Sequence, residues 1–356
     1  MNHFHNRWKG APTRERIGVS QWFQFEDRPL LRATVRDLAE LGVQHLRTGI
    51  SWADYHRPGG KRWYDLQMRT LSDAGLKVLL SLWHTPPSLS ESGSCSGPPR
   101  RLLDFTDFVD EIVNRYGGQF DSLELWNEPN NRLKWNFAQY DPDWSKFAEM
   151  IAAAAYWAKH LGQQTILGGM IPIDHHWLAT LEHKGALDCI DVIAIHAFPG
   201  MWTDSSYWWD WPDHWRGWSA KIESIIPSCK GRPVWITESG YATCRGNSPK
   251  LGGFIEQSQR LSEALLAPAE RLYWYCVRDL SYEYACIEMT EDGGRIDHRE
   301  YHLGLSTVNG QRKLAWWTLQ RALSDNAPQA SRVNLPSSSL ADCQNVTRTA
   351  GHEQYG

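Results

Sequence analysis

Residues 123–131 read LELWNEPNN, and residues 234–241 read VWITESGY. Each stretch is a short apolar run with β-strand character, and each ends on a glutamate followed by a turn-forming residue, Glu128 before Pro129 and Glu238 before Ser239-Gly240. A carboxylate in that position sits just past the C-terminal end of its strand. The sequence around the two stretches decides what kind of sheet holds them.

Short apolar runs alternate with amphipathic stretches along most of the chain. The strand candidates are Arg16–Gln21, Val43–Ile50, Leu76–Trp83, Ser122–Trp126, Thr165–Met170, Ile190–His196, Pro233–Thr237 and Leu272–Val277. The intervening helix candidates are Leu30–Leu41, Leu66–Ala74, Leu102–Tyr116, Trp144–Leu161, His175–Lys184, Asp213–Ile226, Ile255–Leu266 and Leu314–Leu323. Strands joined by helical crossovers must run parallel, and eight such units close most naturally into a (β/α)₈ barrel of the TIM type. No G-x-G-x-x-G or phosphate-loop pattern follows any strand, which argues against an open nucleotide-binding sheet. The long connections 85–100, 198–212 and 278–312 all leave C-terminal strand ends, where such barrels build their active sites. The expected organisation is a catalytic barrel over residues 1–325 and a polar Ser/Pro-rich tail over 326–356.

Composition narrows the function. The 356 residues carry a net charge of −4, with 42% hydrophobic and 22% charged residues, as in an ordinary soluble enzyme. No basic stripe points to nucleic acid. No stretch reaches membrane-spanning length and the N-terminus lacks an apolar leader core, so a cytoplasmic location is expected. The seven cysteines are scattered without a C-x-x-C pair, and the histidines lack ligand spacing, so neither a metal nor another cofactor is expected. The 20 tryptophans stand out. Six of them (Trp202, Trp208, Trp209, Trp211, Trp215 and Trp218) fall within residues 201–218, after the sixth strand, and read as sugar-stacking platforms or a lid, or else as a protein-contact patch.

On strands four and seven, which nearly face each other across a barrel, Glu128 and Glu238 can converge on one ligand. Two such carboxyls are what glycoside cleavage requires. Trp126-Asn127-Glu128-Pro129 resembles the strand-four signature of clan A retaining glycoside hydrolases, and Thr237-Glu238-Ser239-Gly240 resembles their strand-seven nucleophile. The resemblance is greatest to families 39 and 5 and spans roughly residues 15–325. It implies Glu128 as acid/base, Glu238 as nucleophile and Asn127 as a ligand of the sugar 2-hydroxyl. By the same resemblance, Arg47 in HLRTGISW pairs with the nucleophile, His84 in LSLWHTPP contacts the sugar, and Trp274 in YWYCVRD floors the subsite. His196 in IAIHAFPG resembles a strand-six H-x-Y-P element, but Phe198 stands where a tyrosine would hydrogen-bond the nucleophile. Arg47 or Tyr241 is the expected substitute donor, or the role is unfilled. Trp52, just past strand two, is a further stacking candidate. For Glu128 to be a proton donor near neutral pH, a more apolar surround is expected for it than for Glu238. The implied activity is hydrolysis of a β-linked oligo- or polysaccharide, with transglycosylation or a catalytically silent carbohydrate-binding barrel as alternatives; oligomeric state is not readable.

Overall fold

In the computed structural model, residues 13–201, 216–244, 251–282 and 298–325 are described; the expected tail and residues 202–215 of the Trp-rich segment lie outside them. Eight strands, β1 (Ile17–Ser20), β2 (His45–Ser51), β3 (Lys77–Trp83), β4 (Ser122–Leu125), β5 (Thr165–Met170), β6 (Val192–Ala197), β7 (Val234–Ser239) and β8 (Arg271–Tyr275), pair in sequence order. Every pairing is parallel, and β1 pairs with β8 to close the barrel. The fold is therefore the (β/α)₈ barrel that the alternation of runs implies.

The helices form the outer ring: α1 (Arg28–Leu41), a short α2 (Trp52–His56), α3 (Gly60–Asp73), α4 (Leu103–Tyr116), a single turn α5 (Phe137–Tyr140), α6 (Ser145–His160), α7 (His175–His183), α8 (Trp218–Cys229), α9 (Leu251–Leu265) and α10 (Leu314–Asp325). Local chemistry sets their ends. At α1, Asp27 accepts from Leu30 N–H at 3.0 Å, and Gly42 stops the helix in the left-handed region at φ 71°. The helix candidate at 66–74 extends back to Gly60, because the charged first turn hides its apolar spacing, and α2 was too short to give a periodic signal. Among the described residues no helix is long and apolar enough to cross a membrane.

Two apolar layers result from strand alternation. Leu79, Ile166, Val192, Ala194, Trp235 and Tyr273 point inward and fill the barrel. Their neighbours, such as Leu46, Leu80, Leu125, Ile195, Ile236, Leu272 and Trp274, face the helices in the larger outer core. A residue's parity along its strand thus decides whether it meets the barrel axis or the helix layer.

Candidate active site

The barrel mouth is reached where β4 and β7 both break their alternation. Glu124 on β4 points inward, so strict alternation would bring Trp126 in next. Instead Leu125 and Trp126 both enter the outer core, where Trp126 packs edge-on against Phe105 at 5.5 Å and Trp135 at 5.3 Å. The chain manages this with Trp126 at φ 79° and Glu128 at φ 48°, left-handed conformations that cost non-glycine residues ~1–3 kcal/mol each and concentrate at functional sites. The result turns Asn127 and Glu128 toward the mouth. On β7, Ile195 pairs with Ile236 but His196 pairs with Glu238, so one residue of β7 is extra. That bulge lets Thr237 and Glu238, adjacent in sequence, both address the site.

Arg47, fully buried on β2, organises the centre. Its Nε donates to Glu124 Oε2 at 2.7 Å, its Nη2 to Asn127 Oδ1 at 2.8 Å, and its Nη1 to Glu238 Oε1 and, at 3.4 Å, to Ser20 Oγ. Nη2 also lies 2.6 Å from Glu124 Oε2. Burial alone would favour loss of the guanidinium proton, but the charges of Glu124 and Glu238 more than reverse this and hold Arg47 above its ordinary range. Trp22, past β1, donates Nε1–H to Glu238 Oε1 at 3.2 Å. Its half-buried ring meets that of Trp83 at 4.4 Å, over Gly49, where a Cβ would lie 2.3 Å from Trp83 Cζ3 and 2.8 Å from Trp22 Cζ3.

Glu128 faces this group from the other side. His196 Nδ1 lies 3.1 Å from Glu128 Oε1, and Asn131 Nδ2 donates to Glu128 Oε2 at 3.0 Å. Burial pushes the Glu128 carboxyl up, while the hydrogen bond and charge of His196, the charge of Lys134 and the Asn131 bond outweigh it and leave Glu128 below its ordinary value. The expected apolar surround is therefore corrected: Glu128 is half-buried, and among donors. Ligand atoms of Glu128, His196 and Glu238 all lie within 4.8 Å of one another. A divalent cation also spans such donors, but it would have to approach against the positive charge already held on Glu238 by Arg47.

His84 follows β3 at φ 68°, half-buried; burial and then the Lys134 charge push its imidazole well below its ordinary value, so it is neutral near pH 7. Two of the aromatic candidates are misplaced. Trp52 is 1% exposed and stacks on Phe108 at 5.4 Å inside the outer core, so neither face is open to a ligand. Trp274 is 0% exposed and belongs to the same outer core. Tyr273 points into the barrel, so the β8 ring with inward parity at the mouth is the half-buried Tyr275, one residue beyond Trp274. Tyr241 is not the substitute donor for Glu238, because its hydroxyl donates to Glu256 at 2.7 Å. Of the Trp-rich segment, Trp218 is described and buried at the start of α8. Glu124, Thr237 and Trp22 went unrecognised in the sequence, although the L-E-L alternation carries a signal for Glu124: a charged residue flanked by outward leucines must point into the barrel.

No family profile matches the sequence, and no curated protein sequence matches it significantly. The likeness to known proteins lies in three dimensions. A family 39 glycoside hydrolase from Bacteroides cellulosilyticus superposes with a TM-score of 0.58 at 18% identity, over 87% of this chain and 64% of that one. A GH39 enzyme from Xanthomonas axonopodis pv. citri gives 0.58 at 17% identity, over 88% of this chain and 67% of that one. A GH5_18 enzyme from Streptomyces cattleya, solved with Manβ1-4GlcNAc, gives 0.62 at 15% identity, over 88% and 82%. The chain thus spans about two thirds of the length of the two family 39 enzymes, and what it shares with all three is the barrel fold.

Proposed function

We propose that this chain is a retaining β-glycoside hydrolase with Glu238 as nucleophile and Glu128 as acid/base. The observation that carries the reading is the convergence of two carboxylates from β4 and β7, with ligand atoms within 4.8 Å, at the mouth of a barrel shared with glycoside hydrolases. That proximity of their nearest oxygens favours direct attack, for which carboxyls stand ~5–5.5 Å apart, over the ~6.5–9.5 Å spacing of an inverting enzyme. In the first step a Glu238 oxygen bonds to the anomeric carbon, the glycosidic C–O bond breaks, and the Glu128 proton passes to the leaving oxygen. In the second, water attacks the same carbon, Glu128 takes its proton, and Glu238 leaves.

Arg47 and Trp22 orient the Glu238 oxygen they share, and Asn127, fixed by Arg47, is placed to meet a sugar hydroxyl. Trp22, Trp83 and Tyr275 offer half-buried rings for the apolar face of a sugar, in place of Trp52 and Trp274. A bound sugar that covers Glu128 deepens its burial, which favours the protonated form needed in the first step. The substrate class is a β-linked glycoside.

The test is chemical rescue. Glu238→Ala, supplied with a 2,4-dinitrophenyl β-glycoside and azide, is expected to release the α-glycosyl azide, because azide occupies the vacated nucleophile position. Hydrolysis at the wild-type rate, or no azide adduct from a folded variant, overturns the assignment. A wild-type protein that binds sugars without turning over any aryl glycoside favours a silent carbohydrate-binding barrel.

A further inference from the structure

Behind the two carboxylates lies a third, Glu124, whose side chain is fully buried. Its Oε2 accepts from the Arg47 guanidinium at 2.7 Å, and its Oε1 accepts from Gly169 N–H at 3.3 Å; both partners can only donate. The Thr237 hydroxyl, 3.0 Å from Oε1, completes the set by donating its one proton. Thr237 Oγ1 is then only an acceptor for its other neighbour, His196 Nε2 at 3.0 Å. A neutral His196 so placed carries its proton on Nε2 and a bare lone pair on Nδ1. That lone pair faces Glu128 Oε1 at 3.1 Å. A bare imidazole nitrogen and a carboxylate oxygen repel at this distance unless a proton lies between them.

We propose that Glu124 and Thr237 are positioning residues that fix His196 as its Nε2–H tautomer and so lodge one proton between His196 Nδ1 and Glu128 Oε1. That this is the proton Glu128 delivers to the leaving oxygen rests on the glycosidase reading above; where the proton sits does not. The arrangement serves both halves of the reaction. Before cleavage the pair stores the acid proton. After delivery, the Glu128 carboxylate stands against a bare Nδ1, and taking a proton from the attacking water relieves that repulsion. Among the described residues, the charges around the pair are few. His196 meets Glu128 and, at 3.8 Å, Glu238 on its Nδ1 side, and Glu124 behind Thr237 on its Nε2 side. β5 offers only Gly169, where a Cβ would lie 2.1 Å from Nε2. Lys134 acts on Glu128 through its charge, and Arg47 bridges Glu124 and Glu238.

The experiment reads the imidazole nitrogens of ¹⁵N-labelled full-length protein by long-range ¹H–¹⁵N correlation across pH, with His196 assigned by its loss in His196→Gln. In wild type, neutral His196 is expected as the Nε2–H form, with Nδ1 carrying a shared proton until the pair titrates. Thr237→Val should let His196 turn to the Nδ1–H form, which can donate to an ionised Glu128, so the pair gives up its proton at lower pH. Thr237→Ser, which keeps the hydroxyl, should restore the wild-type spectrum. An Nδ1–H neutral tautomer in wild type, or an unchanged spectrum in Thr237→Val, overturns the proposal. Kinetics supply the second arm. Thr237→Val is expected to lose about 100-fold in kcat/KM on a phenyl β-glycoside, which needs acid assistance, with the basic limb moved to lower pH. It should stay within about threefold of wild type on the 2,4-dinitrophenyl β-glycoside, whose leaving group needs no proton. Equal loss on both substrates means general damage and overturns the acid-delivery role. If wild type hydrolyses neither while the spectra show the expected tautomer, the glycosidase reading falls and the proton assignment stands.

Discussion

At Glu238, the Arg47 guanidinium and the Trp22 indole N–H reach the same oxygen, Oε1. Phe198 supplies no hydroxyl there, so Trp22 is the second donor, and its bond to a charged acceptor is worth ~1.5–3 kcal/mol where water is excluded. Trp22→Phe removes that donor and leaves an aromatic ring against Trp83. The expected outcome is a fall in kcat of about tenfold or more, measured on an aryl β-glycoside with KM less affected. Tyr241→Phe, whose lost bond is to Glu256, should leave kcat unchanged; the reverse ranking would show that Trp22 does not hold the nucleophile. Arg47 was legible in the sequence through the resemblance carried by HLRTGISW, and the structure brings it, from within β2, to Glu238, Asn127 and Glu124 together. Trp22 was not legible, since it lies in a loop that has no period. Trp274 illustrates a third case. Its strand was placed correctly, but neighbouring residues on a strand face opposite ways, and the sequence YWY gives both faces an aromatic ring.

Elements carry the closure of the barrel, and here the sequence is most informative. Each of the eight strand candidates overlaps an observed strand, because parallel strands buried on both faces read as apolar runs. The bulge in β7 and the left-handed residues after β4 were illegible, since they arise from fitting Thr237, Glu238 and Glu128 around Arg47 and not from local propensity. The seam between β1 and β8, where the chain's first strand must find its last, has its own fastening. Arg16, just before β1, is 9% exposed and gives Nη1 to Leu265 O at 2.6 Å, Nε to Ala269 O at 3.0 Å and Nη2 to Ala267 O, all between the end of α9 and β8. One planar fork thus satisfies three buried carbonyls that have no helix partner. Arg16→Met leaves them unsatisfied and is expected to cost ~2–4 kcal/mol by guanidinium chloride unfolding. Arg16→Lys should recover only part, because an ammonium cannot reach three diverging acceptors from one plane. A loss below about 1 kcal/mol for Arg16→Met would mean that water replaces the fork and that the seam is closed by strand pairing alone.

Over the whole molecule, ionisable side chains are buried at both ends of the barrel. Arg47, Glu124 and Glu238 lie at the mouth, and at the opposite end His45 accepts on Nδ1 from Arg271 Nη1 at 2.8 Å. Burial, then the charges of Arg271 and Lys77, push His45 down to about 4, against partial support from Glu15. The unfolded chain, with His near 6.5, therefore binds more protons between these values. The stability due to neutral His45 is fully present above pH 6.5 and is lost as pH falls through 4. After discounting for solvent access, the linkage amounts to about 2 kcal/mol. Asp279 works in the opposite sense. Burial pushes it up to about 6 despite Lys313, so its contribution is present at low pH and is lost as pH rises through that value. Wild-type acid unfolding sums the two and cannot apportion them. The difference between wild type and His45→Gln can, because Asp279 is the same in both proteins and cancels. At pH 7 the variant should be the less stable by denaturant unfolding, having lost a fitted acceptor for Arg271. Between pH 7 and pH 4.5 that deficit should shrink by about 2 kcal/mol, since only wild type has to keep a histidine neutral against rising proton activity. A deficit that stays constant across the window would place the acid sensitivity of the barrel elsewhere than His45.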